Sequence, residues 1–157
     1  LHSEIFCLPC YSWNRSLVLP KRHPLENKKN ITLKDISTYP LITYDYAFTG
    51  STIVSNTFKK ANLQPNIMLT AIDADVIKTY VNLNLGIGLV AEMAFNQKND
   101  TGLVARDVSH LFPISTTFIG VRQDAFVRGF TMEFMSMFIR KLTKKELEIL
   151  LQKRDAK

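Results

Sequence analysis

Phe48-Thr49-Gly50-Ser51-Thr52 sets a glycine among three hydroxyl side chains, directly after an apolar run and at the head of a helix-like pattern. That grouping suits an anion. Helix starts present free backbone N–H groups and a partial positive charge, which favour carboxylates, sulfates or phosphates. Gly50 permits close approach of a ligand to the backbone, and Thr49, Ser51 and Thr52 supply hydroxyl donors. Ordinary N-capping by Thr49 or Ser51 would use the same residues without a ligand. A second junction of this kind, Thr70-Ala71-Ile72-Asp73-Ala74, is expected at the same edge of the sheet. In open α/β sheets that edge is where ligands bind. The sole tryptophan, Trp13, in Tyr11-Ser12-Trp13-Asn14-Arg15, reads either as a cleft wall or as a core aromatic.

Other reactive residues do not form a catalytic set. His2, His23 and His110 are far apart and each sits in a loop-like context. No G-x-S-x-G elbow, H-E-x-x-H pair or phosphate-binding loop is present. Gly86-Ile87-Gly88 ends a helix and enters a strand, the reverse of a dinucleotide fingerprint. Asp73 and Asp75 flank a helix start, where they read as caps; acid–base work by the pair would need a raised pKa. Cys7-Leu8-Pro9-Cys10 has redox-motif spacing, but its flanks read as extended chain, whereas a reactive first cysteine needs a helix N-terminus to lower its pKa. With no second pair and no clustered histidine, these are expected to be structural thiols. The sequons at Asn14, Asn30 and Asn99 are taken as chance. No catalytic residue, metal or cofactor is expected.

Bulk properties agree with a binding module. With 157 residues, 46% hydrophobic, the chain can bury one core, or two small ones sharing a cleft. No apolar run approaches the roughly 18–20 residues that span a bilayer, and no secretory signal is visible, so the cytoplasm is the expected compartment. The chain opens without Met, as a fragment or a processed chain would. The net charge of +6 is dispersed in doublets such as Lys21-Arg22, Lys59-Lys60 and Lys144-Lys145. These lack interleaved aromatics, so they read as solvated faces and helix ends; this segment is not expected to be a DNA-reading element.

The elements that would position the hydroxyl turn alternate between strand and helix. Leu17–Leu19, closed by Pro20, and Pro40–Tyr44 read as strands, with a loop over Lys21–Asn30 and a capping box at Thr32–Asp35 between them. A helix to about Leu63 carries Ile53, Val54, Thr57, Phe58 and Ala61 on one face. Asn66–Thr70 is the next strand, and a helix capped near Asp73 ends at Gly86. Ile87–Ala91, Gly102–Val108 and Ser115–Arg122 follow as strands, with a helical turn over Glu92–Phe95. Phe126–Leu142 is helical, with Phe130, Phe134, Met137 and Phe138 on one face. Thr143-Lys144-Lys145-Glu146 is a second capping box, opening a tail helix with Leu147, Leu150 and Leu151. The pattern predicts α/β layering around a largely parallel sheet. The opening strand has no evident partner, as if part of a second sheet were missing.

Several segments together resemble the C-terminal effector domain of LysR-type transcription regulators, and within that family its cysteine-regulon activators. They are Leu8-Pro9-Cys10-Tyr11-Ser12-Trp13-Asn14-Arg15, Lys21-Arg22-His23-Pro24-Leu25, Phe48-Thr49-Gly50, Ala74-Asp75-Val76-Ile77-Lys78-Thr79-Tyr80-Val81, Gly86-Ile87-Gly88-Leu89-Val90 and Ser115-Thr116-Thr117. The resemblance runs from about Leu8 to Leu142 and implies a periplasmic-binding-protein-like, two-subdomain fold with its ligand in the intervening cleft. One subdomain would comprise residues 1–13 and 113–142 and lack its N-terminal part, the other residues 14–112, with residues 143–157 as a helical tail. By the same resemblance, Tyr11, Trp13, Thr49, Gly50 and Ala74 would bind the effector, with further anion ligands in a Thr-rich turn that this chain lacks. The implied effectors are sulfate, thiosulfate, O-acetylserine or N-acetylserine, whose binding would shift subdomain closure or subunit packing. DNA would be bound through a helix-turn-helix domain absent from this chain, in a homodimer or homotetramer and without a membrane partner. Two departures stand out: Ser51 occupies a position that is basic in the resembled proteins, and Cys7 does not match them. A periplasmic solute-binding protein of the same fold is the alternative reading.

Overall fold

Apolar runs far apart in the sequence meet in one sheet. The computed structural model describes residues 5–45, 53–139 and 143–155. Among these, β2 (Arg15–Pro20), β3 (Leu41–Tyr44), β4 (Ile67–Ala71), β5 (Ile87–Ala91) and β6 (Leu103–Asp107) form a sheet in the order β4-β3-β5-β2-β6. β3 lies parallel to both β4 and β5, whereas β2 runs antiparallel to β5 and β6. The expected largely parallel sheet is therefore present, with one reversed strand, β2, next to its β6 edge. The chain divides into two compact units: Trp13–Ile114, which contains this sheet, and Leu1–Ser12 with Ser115–Lys157.

In the larger unit both faces of the sheet are covered, which is why β2 and β5 read as unbroken apolar runs. Alternation sends Leu17, Leu19, Leu41, Ile87 and Leu89 into one core, completed by Phe58 and Ile36. Val18, Ile42 and Val90 enter a second core with Ile77, Val81 and Leu103. Phe58 comes from α2 (Ile53–Lys60), Ile36 from α1 (Leu33–Ser37), and Ile77 and Val81 from α3 (Ala74–Asn82). The predicted capping box holds: the Asp35 N–H donates to Thr32 Oγ1 at 3.2 Å and the Thr32 N–H to Asp35 Oδ2 at 2.9 Å. Gly88 lets α3 settle onto β5, since a Cβ there would lie 2.9 Å from both Ile77 Cγ2 and Val81 Cγ2.

The end of α3 differs from expectation. The helix stops at Asn82, and Asn84, with φ of 59°, takes the left-handed turn assigned from sequence to Gly86. Asparagine is among the side chains that tolerate this region. Gly86 serves another purpose: a Cβ there would sit 2.4 Å from the Pro40 carbonyl oxygen, which accepts the Ile87 N–H at 2.9 Å.

The smaller unit holds β1 (Ile5–Trp13, to Ser12), β7 (Ser115–Arg122), α4 (Gly129–Phe138) and α5 (Lys144–Asp155). β1 is not unpaired, as the sequence suggested; it bonds to β7, more than a hundred residues away in the chain. Leu8 and Cys10 of β1 pack with Met132, Met135, Ile139, Leu147 and Leu151. Cys7 and Cys10 are both free thiols, and, three apart in a strand, they lie on opposite faces. Thr143 and Glu146 form the second capping box, with the Thr143 N–H donating to Glu146 Oε2 at 2.8 Å. Phe130, Phe134, Met137 and Phe138 do share a face of α4, but it points to solvent; Met132 and Met135 supply the inward face.

Candidate ligand-binding site

Because β3, β4 and β5 run together, their carboxyl ends share one edge of the sheet, and the reversal of β2 brings its first residue to the same edge. Arg15 stands opposite Ala91, and Tyr44 opposite Ala71. Arg15 is 7% exposed. Its guanidinium lies 5.0 Å from the centroid of the half-buried Trp13 ring and 6.0 Å from that of Phe112, and it donates to the Pro113 carbonyl at 3.4 Å. Burial pushes the guanidinium below its ordinary pKa, with Tyr44 acting in the opposite sense; arginine remains a cation at neutral pH.

Tyr44 accepts the Ala91 N–H on its hydroxyl at 3.4 Å. Burial raises its pKa, and the nearby Asp73 carboxylate adds to the rise, so the phenol is neutral and able to donate. Asp73 caps α3, accepting the Val76 N–H at 2.8 Å, and Ala74 opens the helix, half-buried against the second core. The Asp45 N–H donates to the Ala71 carbonyl at 2.9 Å, and Asp45 Oδ2 accepts from Thr70 Oγ1 at 3.4 Å. Asn14 and Glu92 tie the start of β2 to the end of β5: the Glu92 N–H donates to Asn14 O at 3.0 Å and the Asn14 N–H to Glu92 Oε1 at 3.2 Å. The edge thus combines a buried cation, an aromatic wall, a phenol and a helix start, while its carboxylates already accept internal hydrogen bonds. Chemically this arrangement suits a small oxyanion better than a cation.

Of the residues singled out from sequence, Trp13 and Ala74 lie at this edge. Tyr11 belongs to the smaller unit, where its ring is 5.8 Å from that of Phe138. Thr49 and Gly50, with Ser51 and Thr52, lie outside the described residues. Arg15 and Tyr44 were missed. A usable signal existed for Arg15: a charged residue stands just before the apolar run Leu17–Leu19, two positions after the only tryptophan.

The described histidines and Arg106 make structural contacts. His23 sits edge-on to Tyr39 at 4.5 Å, with burial lowering its pKa, and His110 Nε2 lies 3.0 Å from the Ile31 carbonyl oxygen. Arg106 donates to the carbonyls of Leu25, Glu26 and Lys28, holding the loop after β2. Among the described residues no group of His, Cys, Asp and Glu could hold a metal ion. No described helix is long and apolar enough to cross a membrane.

Comparison with known proteins gives a consistent family. The LysR substrate binding domain profile matches residues 1–142. The transcriptional regulator SsuR of Burkholderia cenocepacia is 48% identical over 151 residues, 96% of this chain and 49% of that protein. CysB of Haemophilus influenzae is 43% identical over 148 residues, 94% of this chain and 46% of its own length. The chain thus spans about half the length of these curated relatives. The crystal structure of the cofactor-binding domain of the Cbl transcriptional regulator superposes with a TM-score of 0.86 at 34% identity, covering 95% of this chain and 65% of that one.

Proposed function

The chain belongs to the LysR substrate-binding domain family, and on that premise we propose that it is the effector-binding part of a CysB-like transcription regulator of sulfur assimilation. Its ligand is a small oxyanion or an acetylserine: sulfate, thiosulfate, O-acetylserine or N-acetylserine. The observation that carries this reading is Arg15, buried against Trp13 at the carboxyl edge of the sheet. Trp13 and Ala74 share that edge, and Tyr11, Thr49 and Gly50 complete the proposed ligand set. The family and the names SsuR, CysB and Cbl support the sulfur-linked role.

In the parent protein, a separate helix-turn-helix domain reads DNA, the subunits form a homodimer or homotetramer, and the protein works in the cytoplasm. The larger unit corresponds to one effector subdomain and the smaller to part of the other. The domain is a sensor and not a catalyst; an effector acts by its unequal affinity for two conformations.

Titration calorimetry of the 157-residue chain with each of the four ligands tests the reading. At least one should bind, and Arg15→Gln should weaken it about 10- to 100-fold, the loss expected for a charged hydrogen bond. Thr49→Ala should weaken it with the circular dichroism spectrum unchanged. Silence toward all four ligands, or binding indifferent to Arg15→Gln in a folded variant, would overturn it.

A further inference from the structure

The carboxyl edge that holds Arg15 carries apolar side chains as well as polar ones, all within the larger unit. Ile72 directly follows β4, whose last residue, Ala71, stands opposite Tyr44, and it is 63% exposed. Met93, in the single helical turn Glu92–Ala94 that follows β5, is 53% exposed. The Glu92 N–H on the Asn14 carbonyl fixes that turn to the head of β2. Strand order places these groups in a row: Ile72 past the end of β4, Tyr44 at the end of β3, Met93 past the end of β5, Arg15 at the head of β2. At about 4.8 Å between neighbouring strands the row is on the order of 14 Å long, more than an inorganic oxyanion needs. Single exposed apolar residues are ordinary on protein surfaces. Apolar walls around a few convergent polar groups are instead the make-up of small-molecule sites.

The charges of the edge restrict the head group. Among the described residues Arg15 is its buried cation, while Asp45, Asp73 and Glu92 are carboxylates that accept hydrogen bonds from Thr70, Val76 and Asn14. Lys78, within electrostatic reach of Tyr44, commits its ammonium to Asp75, Asp100 and the Ala94 carbonyl. One buried cation among three carboxylates matches a single negative charge. A second charge on the ligand would be repelled by those carboxylates.

Resting on the reading of this edge as the effector site, we propose that its ligand is an organic monoanion, a sulfonate or carboxylate head group on an apolar arm of several carbons. The head group meets Arg15 and the Tyr44 hydroxyl, and the arm lies along Ile72 and Met93. These two side chains then select an organic anion over an inorganic one.

Titration calorimetry of the 157-residue chain with the homologous alkanesulfonates from methane- to butanesulfonate tests this, with acetate to pentanoate as a second series and sulfate as the inorganic reference. A fully buried methylene strengthens binding about fourfold, and one half covered at a rim about twofold. Butanesulfonate should therefore bind about 10- to 60-fold tighter than methanesulfonate, with a binding heat capacity that grows more negative along the series. A gain in both series assigns a monoanion in general, and a gain in one assigns that head group; either supports the arm. Ile72→Thr and Met93→Thr should each cut the total gain by about threefold or more. Leu83→Thr, at a residue 62% exposed but at the far end of α3, should leave the gain as in the unsubstituted chain. The proposal is overturned if affinity is independent of chain length in both series, if both threonine variants keep the full gain, or if sulfate binds more tightly than butanesulfonate. Arg15-dependent sulfate binding with no gain along either series refutes the arm alone, whereas silence toward sulfate and every organic anion refutes the effector site with it.

Discussion

Replacing Lys78 by Met removes the ammonium that fastens α3 to the loop before β6. Lys78 Nζ lies 3.1 Å from Asp100 Oδ1 and 2.9 Å from the Ala94 carbonyl oxygen, and the Lys78 and Asp100 side chains are only 13% and 11% exposed. Burial lowers the Lys78 pKa, but hydrogen bonds and charge from Asp75 and Asp100 outweigh it and hold the group above its ordinary value. Two unit charges about 4 Å apart attract by roughly 4 kcal/mol at an effective dielectric of ~20. Desolvation of both groups offsets much of that, yet removing one partner of a buried pair still costs about 3–5 kcal/mol. Here the cost is smaller. A polar cavity of about 230 Å³ beside the pair admits water, and the Asn96 N–H already donates to Asp100 at 2.8 Å. Asp75, 92% exposed, contributes little. We therefore expect Lys78→Met to destabilise the larger unit by about 2–3 kcal/mol, and Lys78→Met with Asp100→Asn by only about 1 kcal/mol. Urea unfolding followed by Trp13 fluorescence measures both. A loss below about 0.5 kcal/mol for the single variant, or simple additivity of the two, would refute the reasoning.

Three further outcomes can be checked on the same chain. Gly88→Ala should cost about 1–3 kcal/mol in urea unfolding, because its Cβ would lie 2.9 Å from both Ile77 and Val81. Asn84, at φ 59°, should accept Gly with a change of a few tenths of a kcal/mol, whereas Asn84→Val should lose about 1–2 kcal/mol. Asp35 and Asp107 are both held below their ordinary pKa of 3.8: for Asp35, hydrogen bonds and charge from Lys28 and Thr32 overcome the effect of burial, and for Asp107, hydrogen bonds from Ser109 dominate. Depressed carboxylates stabilise the fold above their unfolded pKa and lose that contribution as pH falls through the folded value. The urea midpoint should therefore drop below about pH 4, and Asp107→Asn should flatten that drop.

The parts of this fold that were legible in the sequence depend on neighbours in the chain. The two capping boxes, the Asp73 cap, the β2, β3 and β5 runs and the tail helix each carry their physics within a few residues. Pairing of β1 with β7 does not, because nothing in either strand specifies a partner a hundred residues away. Periodicity showed that Phe130, Phe134, Met137 and Phe138 share a face, but α4 is apolar on both sides, so it could not show which side turns inward. The depth of Arg15 was hidden for a related reason. Its depth follows from the reversed direction of β2, and strand direction is a property of the assembled sheet.

That reversal also bears on how variants at Arg15 must be read. The chain enters the larger unit at Trp13 and leaves it at Ile114. The Arg15 side chain spans those two gates, stacking on Trp13 at the first and bonding the Pro113 carbonyl beside the second. The entry strand and the exit segment are thus buckled together by the cation that the proposed oxyanion would meet. Weaker binding and looser gates would arrive together in Arg15→Gln, whereas Arg15→Lys keeps the charge and loses the planar fork. Retained binding of the proposed oxyanion together with a lower urea midpoint would be the signature of the buckle failing alone.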